Sequence, residues 1–280
     1  AIATRFNHRS ILRPTAISRS DGHWLMVAPD TRSRSLDKYL AERQAAGKEG
    51  VELDVFFDIA LALCDILETI HAQSVIHNDV NPSNLLWNES TKKIHLIDFG
   101  IASELGRESP GIQSPHVLEG ALEYMAPERT GRMNRLVDYR ADFYSLGATL
   151  YALLSGRPPF EARDAMELVH CHIARSPDWS RPVFRSLPPV MVGMLQRLLG
   201  KNAEDRYQVI QGLRRDLKLC QTIVNSAQGT LVSHNLSDMS GIFHIPQKLY
   251  GRENEIQTLL AAFDRASAGA CELLLVAGYS

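Results

Sequence analysis

The sequence lacks the features that mark disulfide-rich, membrane-spanning and nucleic-acid-binding proteins. Its four cysteines, Cys64, Cys171, Cys220 and Cys271, are widely spaced and form no Cys-x-x-Cys pair, which favours free thiols in a reducing compartment. No apolar run approaches the ~20 residues that span a bilayer, and nothing resembles a signal peptide. The formal net charge of -2 offers no basic surface for nucleic acid. We therefore predict a cytoplasmic protein that acts on small molecules or proteins, without membrane or nucleic-acid partners.

Glycine is scarce near the beginning of the sequence, where Gly22 is the only glycine before Gly47. A Gly-x-Gly-x-x-Gly loop brings backbone N–H groups close to nucleotide phosphates in several enzyme classes. This part of the sequence excludes such a loop.

Three short motifs occur in one order. Residues 77–79 read His-Asn-Asp and are followed by Asn84, residues 98–100 read Asp-Phe-Gly, and residues 126–128 read Ala-Pro-Glu. Phosphoryl transfer needs a carboxylate to orient the attacking hydroxyl and oxygen ligands that hold magnesium against the phosphates. The motifs predict Asp79 as the base, with Asn84 and Asp98 as the Mg²⁺ ligands.

The motif set resembles the eukaryotic-type serine/threonine protein kinases, whose signature is His-Arg-Asp-Leu-x-x-x-Asn, Asp-Phe-Gly and Ala-Pro-Glu. The resemblance runs over about residues 1–222. It implies an α+β, protein-kinase-like fold with a mainly helical large lobe and a truncated small-lobe sheet. It also implies ATP and Mg²⁺ as cofactors and a protein hydroxyl as the phosphoryl acceptor.

The resemblance also assigns an adenine site. Val27 stands at the gatekeeper position, and the backbone from Ala28 to Asp30 is expected to meet adenine. Leu86, two residues after Asn84, is expected to form the floor of the site.

Four further residues have structural roles by the same resemblance. His77 is expected to pack and hydrogen-bond within the catalytic loop, and Asp142 to brace the backbone of that loop. Arg206 is expected to pair with Glu128, the glutamate of Ala-Pro-Glu. A buried pair of this kind costs roughly 3–5 kcal/mol to break when one partner is removed.

Three residues depart from the family pattern. Asn78 replaces the arginine before the base, which argues against activation through a phosphorylated loop residue. Asn81 replaces a lysine, so it is expected to assist the phosphate by a hydrogen bond without charge. Ala121 replaces a threonine that contacts the catalytic aspartate. With the absent glycine-rich loop and lysine, these departures predict little transfer by the 280 residues alone, and they keep a nucleotide-sensing or partner-docking pseudokinase open as the alternative.

Residues 130–135, Thr-Gly-Arg-Met-Asn-Arg, resemble bacterial hybrid signalling proteins. In these, a kinase domain precedes an AAA-like ATPase module and often a sensor histidine kinase, which would then be partners within one chain. Residues 223–245 are rich in polar residues and predict a linker. Residues 246–280 predict the start of an α/β P-loop ATPase domain, with a buried strand before Gly278.

Apolar spacing predicts helices over 55–73, 139–154 and 164–174, and within 189–223 with an interruption near 202–205. Strands are predicted over 23–28 and in a hairpin of 85–87 with 94–97.

A pair of histidines and a cluster of arginines each allow two interpretations. His170 and His172 could suggest a metal site, but positions i and i+2 of a helix face different ways. Arg132, Arg135 and Arg140 could steer an acidic partner or form a solvated face.

Overall fold

The computed structural model describes residues 2–20, 23–104, 122–133 and 135–226, with Thr258, Ala261, Ala262 and Arg265. The chain divides into two compact units, Ala1–Gly241 and Ile242–Ser280. The four described residues of the second unit are helical. Ala121, most of the expected linker and Gly278 lie outside the described residues.

Among the described residues of the first unit, three small antiparallel sheets accompany the helices. Strands β1 and β2 pair as a hairpin, β3, β5 and β6 form a three-stranded sheet in the order β3-β5-β6, and β4 pairs with β7. Their bounds are Ala16–Ser20, His23–Val27, Arg34–Ser35, Val75–Ile76, Leu85–Asn88, Lys93–Leu96 and Ser103–Glu104 for β1 to β7. The predicted strand at 23–28 and the predicted hairpin are confirmed.

Among the described residues of the unit, α-helices contain more residues than strands do. Their bounds are Leu36–Ala45, Leu53–His71, Arg140–Ser155, Ala165–Ala174, Pro182–Ser186, Pro189–Leu198 and Ile210–Asn225 for α1 to α7. A 3₁₀ turn, Ala203–Asp205, separates α6 from α7. This turn lies where the sequence predicted an interruption, near 202–205. The predicted helices are confirmed to within about two residues at each end.

Helices α2 and α3 form the centre of the core. Helix α2 buries a stripe of apolar residues at helical spacing, among them Phe56, Leu63 and Ile70. All residues of α3 are buried, as expected for a helix surrounded by other elements on every side. Helix α7 packs its apolar face, including Leu213 and Leu217, into the same core. Because α2 ends just before residues 77–79 and α3 begins near Asp142, this core fixes the position of the candidate site.

The hairpin of β1 and β2 is much less buried than this core. The side chains of Ile17, Leu25, Met26 and Val27 are each about half exposed or more. A two-stranded hairpin has little stability of its own in water. Because these four side chains are about half exposed or more among the described residues, their burial adds little to the stability of the hairpin.

Helix α7 continues three residues beyond the expected domain boundary at 222. Val224 packs against the core, and the N–H of Ser226 donates to the carbonyl of Thr222 at 2.9 Å. These contacts extend the folded unit into the stretch expected to be linker. Among the described residues, no helix combines the length and apolar character needed to cross a membrane.

Candidate active site

The loop that carries Asp79 is anchored on Asp142, in the first turn of α3. The two carboxylate oxygens of Asp142 accept the backbone N–H groups of His77 at 2.9 Å and Asn78 at 2.8 Å. The carboxylate is fully buried. Asp142 thus braces the loop backbone in the way the family resemblance implies.

His71, the last residue of α2, completes this anchor. Its Nε2 lies 2.8 Å from Oδ2 of Asp142. Burial raises the pKa of Asp142, but the hydrogen bonds from His71 and from the backbone N–H of His77 outweigh burial and hold that pKa below its usual value. The carboxylate is therefore ionised and accepts all three hydrogen bonds near neutral pH.

His77 is fully buried, and its ring packs edge-on against Phe99 with the ring centres 4.7 Å apart. Its Nδ1 accepts the backbone N–H of Asp79 at 3.2 Å, so its proton resides on Nε2 when the ring is neutral. Burial lowers the pKa of His77, which keeps the ring neutral near pH 7. This placement is that of a packing residue between the Asp79 loop and Asp-Phe-Gly.

The carboxylate of Asp79 is held by two side-chain amides. Nδ2 of Asn81 donates to Oδ1 at 2.9 Å, and Nδ2 of Asn84 donates to Oδ2 at 2.7 Å. Both amides also donate to the carbonyl of Asp79, at 3.1 and 2.9 Å. The two amides give the carboxylate of the half-buried Asp79 a defined orientation.

Asn81 uses both ends of its amide within the loop. Its Oδ1 accepts the backbone N–H groups of Ser83 at 2.9 Å and Asn84 at 3.3 Å, capping the 3₁₀ turn Pro82–Asn84. The residue is 2% exposed. In this conformation Asn81 orients Asp79, and its expected contact with a phosphate requires the amide to leave the loop.

Asn84 and Asp98 provide oxygen atoms suited to Mg²⁺. The amide nitrogen of Asn84 is directed at Asp79, so its amide oxygen is the atom a cation would use. Asp98 is exposed, and its Oδ1 accepts the N–H of Gly100 at 3.0 Å. The N–H of Ile97 donates to the carbonyl of Asn84 at 3.0 Å, which links the two segments. Mg²⁺ typically takes one or two carboxylates together with substrate phosphates, and this donor set fits it.

The backbone at Asp98 is left-handed, with φ of 62°. Such a conformation is uncommon for a residue other than glycine and persists where surrounding contacts hold it. Among the described residues, no group of three His, Cys, Asp or Glu side chains lies close enough to bind a metal by itself.

The expected adenine residues do not share one sheet, since Val27 ends β2, residues 28–30 have no regular secondary structure and Leu86 lies in β5. Strand β3, which follows the segment Ala28 to Asp30, pairs with β5 so that Ser35 lies opposite Leu86. Asn88 donates to the carbonyls of Thr31 and Arg32, both at 3.1 Å. These contacts hold Thr31 and Arg32 beside the strand of Leu86. Val27 is 54% exposed at the end of β2.

Glu128 and Arg206 form a buried, two-pronged ion pair. The distances are 2.7 Å from Nη1 to Oε1 and 2.8 Å from Nη2 to Oε2. The guanidinium also donates to the carbonyls of Gly200 and Arg140. The pair fixes the Ala-Pro-Glu segment against the 3₁₀ turn before α7.

The arginine cluster does not form a free cationic face. Arg140 is buried and hydrogen-bonds to both carboxylate oxygens of Asp138. Arg135 pairs with Glu204 at 2.7 Å. Of the three arginines, only Arg132 is exposed. The cluster therefore forms neither a surface that could steer an acidic partner nor a solvated face.

Sequence reasoning missed three residues that contact this loop or its anchor Asp142. His71 hydrogen-bonds Asp142, Ser103 accepts a hydrogen bond from Asn78, and Arg129 donates to the carbonyl of Asn78. Arg129 directly follows Ala-Pro-Glu, so its adjacency to a motif was the available signal. The other two are brought in by tertiary contacts, for which the sequence carries no local pattern.

This arrangement of loop, anchor and ion pair defines a protein kinase domain. The family profile described as "Protein kinase domain" matches residues 1–217, and the chain belongs to this family. Membership is established over most of the chain's length. It implies ATP and Mg²⁺ as the cofactors that the family uses in general.

The sequence is similar to individual protein kinases and to a hybrid histidine kinase. The chain is 33% identical over 160 residues to serine/threonine-protein kinase Pkn1 of Myxococcus xanthus, covering 56% of this chain and 23% of Pkn1. It is 30% identical over 154 residues to serine/threonine-protein kinase PknB of Mycobacterium tuberculosis, covering 55% of this chain and 24% of PknB. It is 25% identical over 319 residues to hybrid signal transduction histidine kinase G of Dictyostelium discoideum, covering 82% of this chain and 9% of that protein. The chain therefore spans at most a quarter of each relative's length.

Proposed function

We propose that this chain contributes the catalytic large lobe of a serine/threonine kinase, which transfers the γ-phosphoryl group of Mg-ATP to a protein hydroxyl in signal transduction. The observation that carries the proposal is the carboxylate of Asp79, oriented by Asn81 and Asn84 in a chain of the protein kinase family. Specificity for Ser or Thr rests on the names of Pkn1 and PknB.

In this proposal, Asp79 accepts a hydrogen bond from the substrate hydroxyl and orients it for attack. Asn84 and Asp98 hold Mg²⁺, which neutralises charge on the phosphates when bound. Leu86 and the backbone from Ala28 to Asp30 contact adenine. Because Asn81 brings no positive charge to the transferring group, we expect slower transfer than in kinases with lysine at this position.

The test is transfer of label from γ-labelled ATP by the full-length protein with Mg²⁺, beside an Asp79→Asn variant. Loss of a positioned base typically lowers the rate by ~10²–10⁴-fold. Transfer by the wild type that falls to this extent in the variant supports the proposal. A wild type that folds and binds ATP yet transfers no label overturns it.

A second candidate is a pseudokinase that senses nucleotide or docks partners for neighbouring domains. The occupied and uncharged amide of Asn81 favours this candidate, whereas the oriented carboxylate of Asp79 favours the enzyme. The name of the Dictyostelium relative supports a multidomain context, with ATPase and histidine kinase modules as proposed partners in the same chain. The second candidate predicts equal ATP affinity, and no transfer, for the wild type and the Asp79→Asn variant.

A further inference from the structure

The peptide unit that joins Asn78 to Asp79 is held on both of its polar sides. The carbonyl of Asn78 accepts a hydrogen bond from the guanidinium of Arg129. The N–H of Asp79 donates to Nδ1 of His77 at 3.2 Å. The orientation of this unit determines where the side chain of Asp79 begins.

The side chain of Asn78 crosses to the segment after Asp-Phe-Gly. Its Nδ2 donates to the carbonyl of Ile101 at 3.1 Å and to Oγ of Ser103 at 2.8 Å. Asn78 is 5% exposed. One neutral side chain thus connects the loop of Asp79 with the segment that follows Asp98.

The backbone of Asn78 requires such support. Its φ is 67°, in the left-handed region that costs most residues free energy and that asparagine tolerates better than most. The N–H of Asn78 is held by Asp142 at 2.8 Å. Asp142, Arg129 and Ser103 therefore fix one residue from three different segments.

We propose that Asn78 and Arg129 are positioning residues for Asp79. Asn78 ties the loop to the Ile101–Ser103 segment, and Arg129 ties it to the Ala-Pro-Glu segment, both through hydrogen bonds to neutral acceptors. Together they give the loop its conformation without a phosphate group as an ionic partner. The effect on phosphoryl transfer rests on the proposed function, whereas the effect on loop structure does not.

The first test measures loop structure in the 280-residue chain by NMR-detected amide hydrogen exchange. The variants are Asn78→Gly, which keeps the left-handed backbone accessible but removes the amide, Arg129→Ala, and Ser103→Ala, which removes a single acceptor. Arg163→Ala, an exposed arginine on the loop before α4, is the control. We expect exchange at Asp79 and at Ser103 to rise about tenfold or more in Asn78→Gly and Arg129→Ala, less in Ser103→Ala, and not at all in the control.

Unchanged exchange at Asp79 in both Asn78→Gly and Arg129→Ala overturns the proposal. Should either variant fail to fold, amide exchange at Asp79 in Ser103→Ala and Arg129→Lys tests the proposal instead. Lysine still donates to the Asn78 carbonyl, so it is expected to restore slow exchange. Fast exchange in Arg129→Lys equal to that in Arg129→Ala counts against positioning by this hydrogen bond.

The second test measures steady-state transfer in the full-length protein. We expect Asn78→Gly and Arg129→Ala to lower kcat by about 10- to 100-fold, since small misplacements of a reacting group have effects of this size. The KM for ATP should stay within about twofold. A raised KM with unchanged kcat overturns positioning of Asp79. Absence of transfer by the wild type contradicts the proposed function alone, because amide exchange still decides the structural role.

Discussion

Arg206 and Glu128 meet in the protein interior through two parallel hydrogen bonds, although 78 positions separate them along the sequence. Both side chains are almost fully excluded from water, at 0% and 4% exposure. A buried charge is tolerated only when its partner and hydrogen bonds compensate for lost hydration. The pair therefore couples the Ala-Pro-Glu segment to the last third of the domain.

The losses of stability from removing the two partners of this pair should not be additive. We expect Arg206→Met to lower the free energy of unfolding by about 3–5 kcal/mol, because Glu128 is left charged and buried. The Glu128→Gln, Arg206→Met double variant should lose less than the sum of the two single variants. Urea unfolding of the four proteins tests this, and additive losses would show that the two residues do not interact.

Asp142→Asn should destabilise the anchor of the Asp79 loop. The new amide places donors where the N–H groups of His77 and Asn78 already donate, so at least one group loses its partner at a cost of about 1–3 kcal/mol. Asp164→Asn is the matched control, because Asp164 caps α4 by accepting the N–H of Glu167 and asparagine caps equally well. Equal thermal denaturation midpoints for the two variants would contradict the assigned role of Asp142.

Stability should fall at mildly acidic pH because of His172. Burial, together with the charge of Lys201, lowers the pKa of His172 from 6.5 to about 4. The unfolded chain then binds a proton that the folded chain does not over this range. The contribution of the neutral His172 to the free energy of unfolding is therefore fully present above about pH 6.5. It is lost as the pH falls toward 4, which lowers the free energy of unfolding by up to about 3 kcal/mol.

His172→Gln removes this titration and tests the prediction. The ring of His172 is held by a 2.9 Å hydrogen bond between its Nδ1 and the hydroxyl of Tyr144, which places it in the core and not in a metal site. Urea unfolding at pH 7, 5.5 and 4.5 should show a smaller loss with acid in the variant. Parallel losses in the two proteins would assign the acid sensitivity to other groups, such as His77.

Gly50→Ala should be severely destabilising. Gly50 has φ of 58°, and an added Cβ would lie 2.1 Å from the backbone oxygen of Leu154. Backbone cannot move aside as a side chain does, so we expect a loss of more than about 3 kcal/mol. Gly47→Ala is the control, because its φ of 73° is similar and no heavy atom outside the adjacent residues lies within 4 Å of the added Cβ. It should lose only about 1 kcal/mol from the left-handed backbone, as judged by urea unfolding.

The sequence predicted the long elements well because their signals are local. The apolar stripe of α2 repeats at helical spacing over five turns, and Gly156 with the prolines at 158 and 159 marks the end of α3. The two-residue strands β3, β4 and β7 carry no such repeat. They exist because tertiary packing brings their partners alongside, so no window of sequence could have indicated them.

The candidate site was predictable to a similar extent. Resemblance to the protein kinase family indicated Asp142 and the partnership of Glu128 with Arg206, which the structure joins as described. It did not indicate that Asn81 directs its whole amide into the loop, because asparagine can either donate outward or cap a turn. Nor could it show that Arg140 is buried beside Asp138, since burial of an arginine depends on the elements packed around it.

The contact between α7 and α2 has a consequence for biosynthesis. Arg214 on α7 bridges Asp65 and Glu68 on α2, at 2.8 and 2.6 Å, and Leu213 and Leu217 cover apolar surface in the same core. A ribosome adds roughly 5–20 residues each second, so the 149 positions from Asp65 to Arg214 take about 7 to 30 seconds to synthesise. Throughout that interval the nascent chain exposes the face of α2 that α7 later covers. The domain completes its fold only after Asn225 has left the exit tunnel, which makes this interval the one in which chaperones would engage it.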